Sequence, residues 1–293
     1  MDIAVVHDAP LPPHACRRLL DAIKRRGHRG IYVSLRRIGA WICEKPRFII
    51  GSKSFTPNAV LLRSFGLSIS VEQFLARIGF FMHMELYGIK IINSPFSLFI
   101  TRNKYLTLAI LEKHGLPVPK TFISENLGSA LNAVRKLGEV VIKPIMGSRG
   151  YGSVKISDPD VAFEVMKTLL EFRKPLYIQE YLEKPGRDIR AFVVGGEVIA
   201  AMYRYAAPGS WKTNIAQGGR GEKCSLSPDY EEIAIRAAEC LKLGYAGVDI
   251  VETKKGPVIV EVNGSPDFEE LCKVTGVDVP LVIVKYIEEI VKR

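Results

Sequence analysis

The chain is poor in the residues that most often carry nucleophilic or structural-metal chemistry. Its five cysteines (Cys16, Cys43, Cys224, Cys240 and Cys272) are odd in number and widely spaced, with no CxxC pair. Neither a zinc site nor a disulfide framework is therefore indicated. Lone, scattered cysteines behave as small hydrophobes in a reducing compartment, which points to the cytoplasm. All five histidines lie within the first 114 residues, so the remainder has no imidazole for a Ser–His or Cys–His pair. No apolar run approaches the roughly 18–20 residues that span a bilayer. No basic segment and long apolar stretch precede the strand-like DIAVVHD, so neither membrane insertion nor export is expected. Gly-Lys-Ser/Thr does not occur, which removes a Walker A loop, and no repeat or low-complexity tract is visible.

What is present is a balanced globular composition. The 293 residues are 47% hydrophobic and 25% charged, enough for two domains or one large α/β domain with an insertion. The net charge of +10 is uneven: residues 1–97 carry 14 Lys/Arg against 6 Asp/Glu, and the other residues carry 27 against 25. The excess gathers at Arg17, Arg18, Lys24, Arg25, Arg26, Arg29, Arg36 and Arg37. Such asymmetry favours an anionic partner, but charge alone does not choose between a multi-carboxylate or phosphate-bearing substrate, an acidic peptide tail and nucleic acid. The stretch 17–37 lacks interleaved aromatics and any nucleic-acid motif, so nucleic acid is not expected.

The first third alternates short strands and helices in a β-α-β rhythm, which predicts a small parallel sheet covered by helices. Asn93-Ser94-Pro95 caps a helix predicted to run unbroken through FSLFITRNKYLTLAILEKHG to Gly115. Further strands and helices follow, with a strand pair joined at Gly195-Gly196. The polar stretch from Pro208 to Gly221 is too long for a simple connection and reads as a functional loop.

Near the C-terminus, GYAGVDIVE and VIVEVNGSP flank Thr253-Lys254-Lys255-Gly256, a β-hairpin pattern. A turn centred near Lys255 sets Asp249 across from Glu261, and Asn263 shares a face with Glu261. Facing carboxylates repel unless a cation lies between them, and an oxygen set of Asp, Glu and Asn suits Mg²⁺ carrying phosphates. A solvated hairpin face is the alternative. Upstream, Lys143-Pro144 ends a strand before Met146-Gly147-Ser148-Arg149-Gly150-Tyr151-Gly152. The spacing GxxGxG is not the dinucleotide fingerprint; a flap whose backbone N–H groups close over phosphates and a plain glycine hairpin are both open. Lys143 points inward toward α- and β-phosphates in the flap reading, and Lys104 on the preceding helix does the same. Gln179-Glu180-Tyr181-Leu182 alternates along a strand whose backbone can read an adenine edge.

In order, Lys104, Lys143-Pro144, GSRGYGS, QEYLE, RDIR, a TN-containing glycine loop, VDI and EVNGSP resemble the ATP-grasp superfamily, and within it the RimK-type carboxylate–amine ligases. The resemblance covers the whole chain, most weakly the first 90 or so residues. Arg187-Asp188-Ile189-Arg190, Thr213-Asn214-Ile215-Ala216-Gln217-Gly218-Gly219 and Glu261-Val262-Asn263-Gly264-Ser265-Pro266 are its most specific pieces, and Cys272–Asp278 is similar to the α-L-glutamate-adding members. It implies an α/β fold: a pre-ATP-grasp parallel-sheet domain at 1–97, then an α+β ATP-grasp domain at 98–293 with a lid at 116–180 and a large subdomain at 181–293.

By the same resemblance, Lys104, Lys143 and the flap residues Gly147, Ser148, Gly150, Tyr151 and Gly152 meet phosphates. Glu180 with Leu182 holds adenine, Asp188 faces ribose, and Lys212 and Asn214 lie in the large loop beside the γ-phosphate, with Gln179, Tyr181 and Thr213 as further nucleotide-binding candidates. Arg190 lies near the acceptor and Arg204 supports the transferring phosphoryl group; Arg204 also reads as a cross-strand partner of a nearby carboxylate. Arg190, Arg204, Lys212 and Asn214 form the catalytic set, and Asp249, Glu261 and Asn263 carry two Mg²⁺, with Mn²⁺ as a substitute. The implied reaction is ATP-dependent ligation of an anionic carboxylate acceptor to an amino acid, L-glutamate by the resemblance. A coenzyme of the tetrahydromethanopterin or deazaflavin type is the favoured acceptor, with a ribosomal-protein tail or a carrier protein as alternatives. Lys212 stands where the ribosomal-protein modifiers carry Arg, and Pro-Asp-Phe replaces their Pro-Gly-Leu after Ser265. A non-catalytic ATP-binding regulator is the competing class, against which all three metal-ligand residues speak. A homo-oligomer is compatible with the sequence, which does not fix the assembly.

Overall fold

The computed structural model describes residues 1–45, 47–66, 69–147 and 150–292. The apolar run after Met1 becomes β1 (Asp2–His7), followed by α1 (His14–Arg25) and β2 (Arg29–Ser34). Three short strands come next: β3 (Ile38–Trp41), β4 (Arg47–Ile50) and β5 (Lys53–Ser54). They form a separate antiparallel sheet that sequence periodicity did not predict. They are only two to four residues long, and Ile38–Trp41 and Arg47–Ile50 carry apolar residues on both faces, so apolar alternation is missing. Then β6 (Ala59–Leu62), α2 (Val71–Leu86) and β7 (Lys90–Ile92) complete a parallel sheet in the order β2-β1-β6-β7. Residues 3–6 of β1 and 59–62 of β6 are fully buried, as continuous apolar runs in a parallel sheet should be.

The helix predicted through residue 115 is instead two, α3 (Pro95–Arg102) and α4 (Lys104–Lys113). Asn103 between them is extended (φ −98°, ψ 98°), and its side chain accepts from the Leu106 N–H at 3.1 Å. Asn competes well for such a cap, so a second helix start displaces continuation. The break matters because Lys104 opens α4 and its side chain meets Glu261.

Next come β8 (Thr121–Ser124), α5 (Leu127–Leu137), β9 (Val140–Ile142), β10 (Val154–Ile156), α6 (Pro159–Glu171) and β11 (Leu176–Glu180). These strands form an antiparallel sheet ordered β10-β9-β11-β8, and Ala130, Val134, Ala162 and Met166 of the two helices seal one face. β12 (Arg187–Val194), β13 (Glu197–Tyr205), β14 (Arg220–Lys223), α7 (Pro228–Cys240), β15 (Tyr245–Thr253) and β16 (Gly256–Asn263) follow. The five strands form an antiparallel sheet, β14-β13-β12-β15-β16; β14 lies at the end of the stretch read as loop. The chain closes with α8 (Glu269–Thr275) and α9 (Val279–Lys292).

One core joins the first sheet to the last: Ile3, Val5 and Leu61 pack with Phe192, Tyr245, Phe268 and Ile283. Glu288 of α9 clamps the same junction, accepting from Arg26 at 2.9 and 2.7 Å and contacting His28 at 2.8 Å. Arg26 and then His28 hold the Glu288 carboxyl down to about 2. Among the described residues no helix is long and apolar enough to cross a membrane.

Candidate active site

The β15–β16 hairpin does set Asp249 opposite Glu261, but by a different route from the expected turn. The turn closes on Thr253 opposite Gly256, and pairing holds to Ile250 opposite Ile259. That register would oppose Asp249 to Val260. A bulge between Asp249 and Ile250 shifts the pairing by one residue and restores Glu261 as the partner. A one-residue slip would turn Glu261 to the other face, so the bulge builds the site.

The two acids do not face each other bare. Lys104 Nζ lies 2.5 Å from Glu261 Oε1. Arg190 forms a two-pronged pair with Asp249, one prong at 2.9 Å. Arg204 Nη2 also reaches Asp249 at 2.9 Å, while its fork holds Asp188 at 2.8 and 2.9 Å. The Thr213 hydroxyl donates to Asp188 at 2.5 Å, and Lys184 Nζ lies 3.9 Å from Asp188. Asp188, Arg204 and Asp249 are each no more than 4% exposed. Burial disfavours the Asp249 charge, yet Arg190 and Arg204 outweigh it and lower its pKa. Burial likewise opposes the Arg204 charge, and Asp188 and Asp249 raise its pKa above the ordinary arginine value. Asp249 therefore stays ionised, in the state a metal needs. Arg204 is thus the cross-strand partner of Asp188 while also lining the site.

One cleft collects Lys104, Lys143, Gly147, Gly150, Tyr151, Gln179, Glu180, Tyr181, Leu182, Asp188, Arg204, Lys212, Thr213, Asn214, Asp249 and Glu261. Gln179 Oε1 accepts from Lys143 Nζ at 2.8 Å, and Gln179 Nε2 donates to Thr121 and Tyr177 hydroxyls at 3.1 Å each. Gln179 thus aims Lys143. Burial, and then Lys104, push the Lys143 ammonium down to about 8. The Glu180 carboxylate accepts from the Lys120 N–H at 2.8 Å. Lys212 Nζ donates to the Gly150 carbonyl at 3.0 Å, joining the glycine segment to the large loop. A Cβ on Gly150 (φ +74°) would lie 2.4 Å from Asn214 Oδ1, so glycine is required there on both counts. Gly152 does not line the cleft, although a Cβ there would lie 3.4 Å from Pro144, and Ser148 lies outside the described residues.

Arg190 and Asn263 line not this cleft but a second cavity of about 420 Å³, with Met202, Ser265, Asp267 and Glu270. Arg204 and Asn214 line both spaces. Sequence reasoning missed Lys184 and Trp211, which line the first cleft; Trp211 sits edge-on to Tyr181 at 6.2 Å. It also missed Asn93, read only as part of a helix cap. The Asn93 amide donates to the Tyr245 and Gly264 carbonyls at 2.7 and 2.6 Å and accepts from the Gly244 N–H at 2.6 Å. That buried amide fixes the turn after β16, and with it Asn263. Neither Lys184, Trp211 nor Asn93 carries a motif of its own.

The likeness to known proteins accords with this arrangement. A profile described as a RimK-like ATP-grasp domain matches residues 101–287. The chain belongs to the RimK-like ATP-grasp family. This family member is 35% identical over 261 residues to the tetrahydromethanopterin:alpha-L-glutamate ligase of Methanosarcina acetivorans, covering 80% of each chain. It is 33% identical over 291 residues to a probable alpha-L-glutamate ligase of Haemophilus influenzae, covering 94% of this chain and 95% of the other. In fold it matches the ATP-grasp ligase PsnB complexed with minimal precursor, Mg and ADP, with a TM-score of 0.76, 22% identity and coverage of 99% and 98%.

The RimK-like protein is accordingly an ATP-dependent carboxylate–amine ligase, of a family whose ligases bind ATP and Mg²⁺. Asp249 and Glu261 are adjacent in register and turned to one cleft, with Asn263 two residues on. This oxygen-only set fits a hard divalent cation. Among the described residues no group of three or more His, Cys, Asp or Glu offers another metal site.

Proposed function

We propose that the protein joins the α-amine of L-glutamate to a carboxylate of a small anionic coenzyme of the tetrahydromethanopterin or deazaflavin type. The observation that carries this reading is the adjacency of two spaces through Arg204 and Asn214. One is lined by Lys104, Lys143, Asp249 and Glu261; the other has room for an amino acid and an acceptor end. The acceptor class is supported by the name of the Methanosarcina relative and by the +8 charge of residues 1–97, from 14 Lys/Arg against 6 Asp/Glu.

In this reading Lys143 and Lys104 hold the phosphates and the flap residues Gly147, Gly150 and Tyr151 cover them. Tyr181 and Leu182 border the base, and Asp188 is on the ribose side. Asp249, Glu261 and Asn263 hold Mg²⁺ (Mn²⁺ as a substitute), which neutralises phosphate charge when bound. An acceptor carboxylate oxygen attacks the γ-phosphorus, the bond to ADP breaks, and an acyl phosphate forms. The glutamate amine then attacks the acyl carbon, the bond to phosphate breaks, and the amine gives up its proton. Arg204 and Asn214 face the charge that develops on both oxygens, Arg190 stands beside the acceptor, and Lys212 anchors the loop to the flap. Closure of Lys212 on Gly150 keeps water from the acyl phosphate.

The lid at 116–180 is supported by a core of lid residues alone, from Ala130 to Ile178, whereas the boundary at 97/98 has no separate core behind it, since residues on both sides share one. Five cysteines without a disulfide support a cytoplasmic setting. The test is ADP release by purified protein with each acceptor class, with and without L-glutamate. Glutamate-dependent release with a coenzyme acceptor, and an adduct heavier by one glutamate residue, is the expected result. Release with a ribosomal-protein tail or carrier protein only would move the acceptor, and none with any would end the reading.

A further inference from the structure

Away from the nucleotide cleft, two buried side-chain atoms among the described residues have no hydrogen-bond partner: Arg63 Nε and Arg102 Nε. Both belong to one neighbourhood. Arg63, 9% exposed, follows β6 and donates to the Pro266 carbonyl at 2.8 Å and the Tyr245 hydroxyl at 3.3 Å. Arg102 donates to the Gly66 carbonyl, and Arg77 to the Phe65 carbonyl at 2.5 Å. A Cβ on Gly66 (φ +96°) would lie 2.6 Å from Arg77 Nη1 and 3.4 Å from Asp8 Oδ2, so the glycine lets these groups crowd together. Among the described residues none of the three guanidinium groups has an ion pair, and Asp8 pairs only with His7, at 3.1 Å. Arg77 and Arg102 thus stand around Gly66 beside a single acid, Asp8, and Arg63, at the end of β6, lies over the Tyr245 and Phe268 rings; two of the three have unused N–H groups.

The position adds an independent reason. The order β2-β1-β6-β7 reverses direction between β1 and β6, and in open parallel sheets ligands bind at the carboxyl ends of the strands flanking such a reversal. His7 and Asp8 end β1, and Arg63 to Gly66 end β6. This edge also touches the second cavity: the Ser265 hydroxyl donates to the Arg63 carbonyl at 2.8 Å, and Ser265 and Pro266 line that cavity. Guanidinium forks match the paired oxygens of carboxylate and phosphate, and buried charge without a counter-charge is costly.

We propose that Arg63, Arg77 and Arg102 form an oxyanion subsite at the carboxyl ends of β1 and β6 that holds a non-reacting carboxylate or phosphate of the acceptor. The subsite deepens the acceptor reading above and rests on it for the ligand's identity. It selects acceptors that carry a second anionic group beyond the carboxylate being activated. Glutamate needs no part in it.

The test is calorimetric titration of the full chain, saturated with Mg²⁺-ADP so that the nucleotide cleft is filled, with inorganic phosphate and separately with glutarate. The expected result is binding of at least one anion by the unaltered protein, weakened about tenfold or more in Arg77→Gln and less in Arg77→Lys, which keeps charge but loses the fork. Preference for phosphate points to a phosphate-bearing acceptor and preference for glutarate to a multi-carboxylate one. ADP affinity and the thermal midpoint stay unchanged in Arg77→Gln, and once an acceptor is in hand its KM rises about tenfold with kcat held. No anion binding, or equal binding in Arg77→Gln and unaltered protein, overturns the subsite. The ligase reading is judged separately, by ADP release, so anion binding without turnover would sink that reading and leave the subsite standing.

Discussion

Two groups of charged residues flank the Gly264–Pro266 turn, and they are built on opposite plans. On the β12–β16 side, Asp188, Arg204, Asp249 and Arg190 form an unbroken chain of ion pairs, with Lys184 and Lys104 on its margins. On the β1–β6 side, Arg63, Arg77 and Arg102 donate to backbone carbonyls and have no paired carboxylate among the described residues. The first group satisfies itself and presents carboxylates held in place by their cations. The second carries positive charge that the fold does not neutralise. A site that must hold Mg²⁺-nucleotide in one geometry gains from preorganisation, whereas one that selects an anion keeps its donors free.

The most severe break in the comparison is Arg204→Met. The change leaves Asp188 and Asp249 buried without their shared cation, and removal of one partner from a buried network costs about 3–5 kcal/mol. Urea unfolding should show a loss of that size, with ligation abolished. A loss under about 1 kcal/mol would mean the pairs are not mutually dependent. Asp249→Asn keeps the side chain's shape and one acceptor oxygen for the arginines, while its amide NH₂ opposes the guanidinium donors that the other oxygen accepted from. It removes a proposed metal ligand, and ADP release at saturating ATP should fall about 10²-fold or more. Near-normal turnover would remove Asp249 from the metal set.

Lys143 sharpens the contrast through pH. Its folded value of about 8 lies below the ordinary lysine value of 10.5, because of burial and then Lys104. Between those values the unfolded chain binds the proton and the folded one does not, so free-protein stability rises with pH across that window. Phosphate binding needs the ammonium and runs the other way. ADP affinity should weaken about tenfold between pH 7 and 9, and Lys143→Met should flatten that profile. An unchanged slope in the variant would assign the titration elsewhere.

The two groups also differ in how far the sequence revealed them. Asp249, Glu261 and Asn263 were visible because strand alternation and one hairpin relate them, although the bulge that restores their pairing leaves no mark in the residue pattern. The parallel first sheet was visible in its buried runs. The helix break at Asn103 was not, since a lone Asn inside an apolar-periodic run is ambiguous until its cap is seen. Lys184 and Trp211 enter the cleft from segments without a motif. Arg63, Arg77 and Arg102 come from a strand end and two helices, and only the reversal in strand order brings them together. Local patterns disclose what one hairpin builds, and tertiary convergence stays hidden.

The smallest expected effect is the most discriminating for the arginine edge. Arg77→Gln, in the absence of ligand, should change unfolding free energy by no more than about 1 kcal/mol. It gives up one hydrogen bond to the Phe65 carbonyl, worth about 1 kcal/mol, and relieves the repulsion that helps lower the Arg102 pKa, where burial is the larger cause. The two contributions oppose each other. Thermal and urea unfolding of the free chain would register the difference. A loss as large as that of Arg204→Met would make Arg77 a structural pin, and the two plans would become one. A neutral or slightly stabilising result means the fold tolerates this charge without needing it, as expected of a donor kept for an incoming anion.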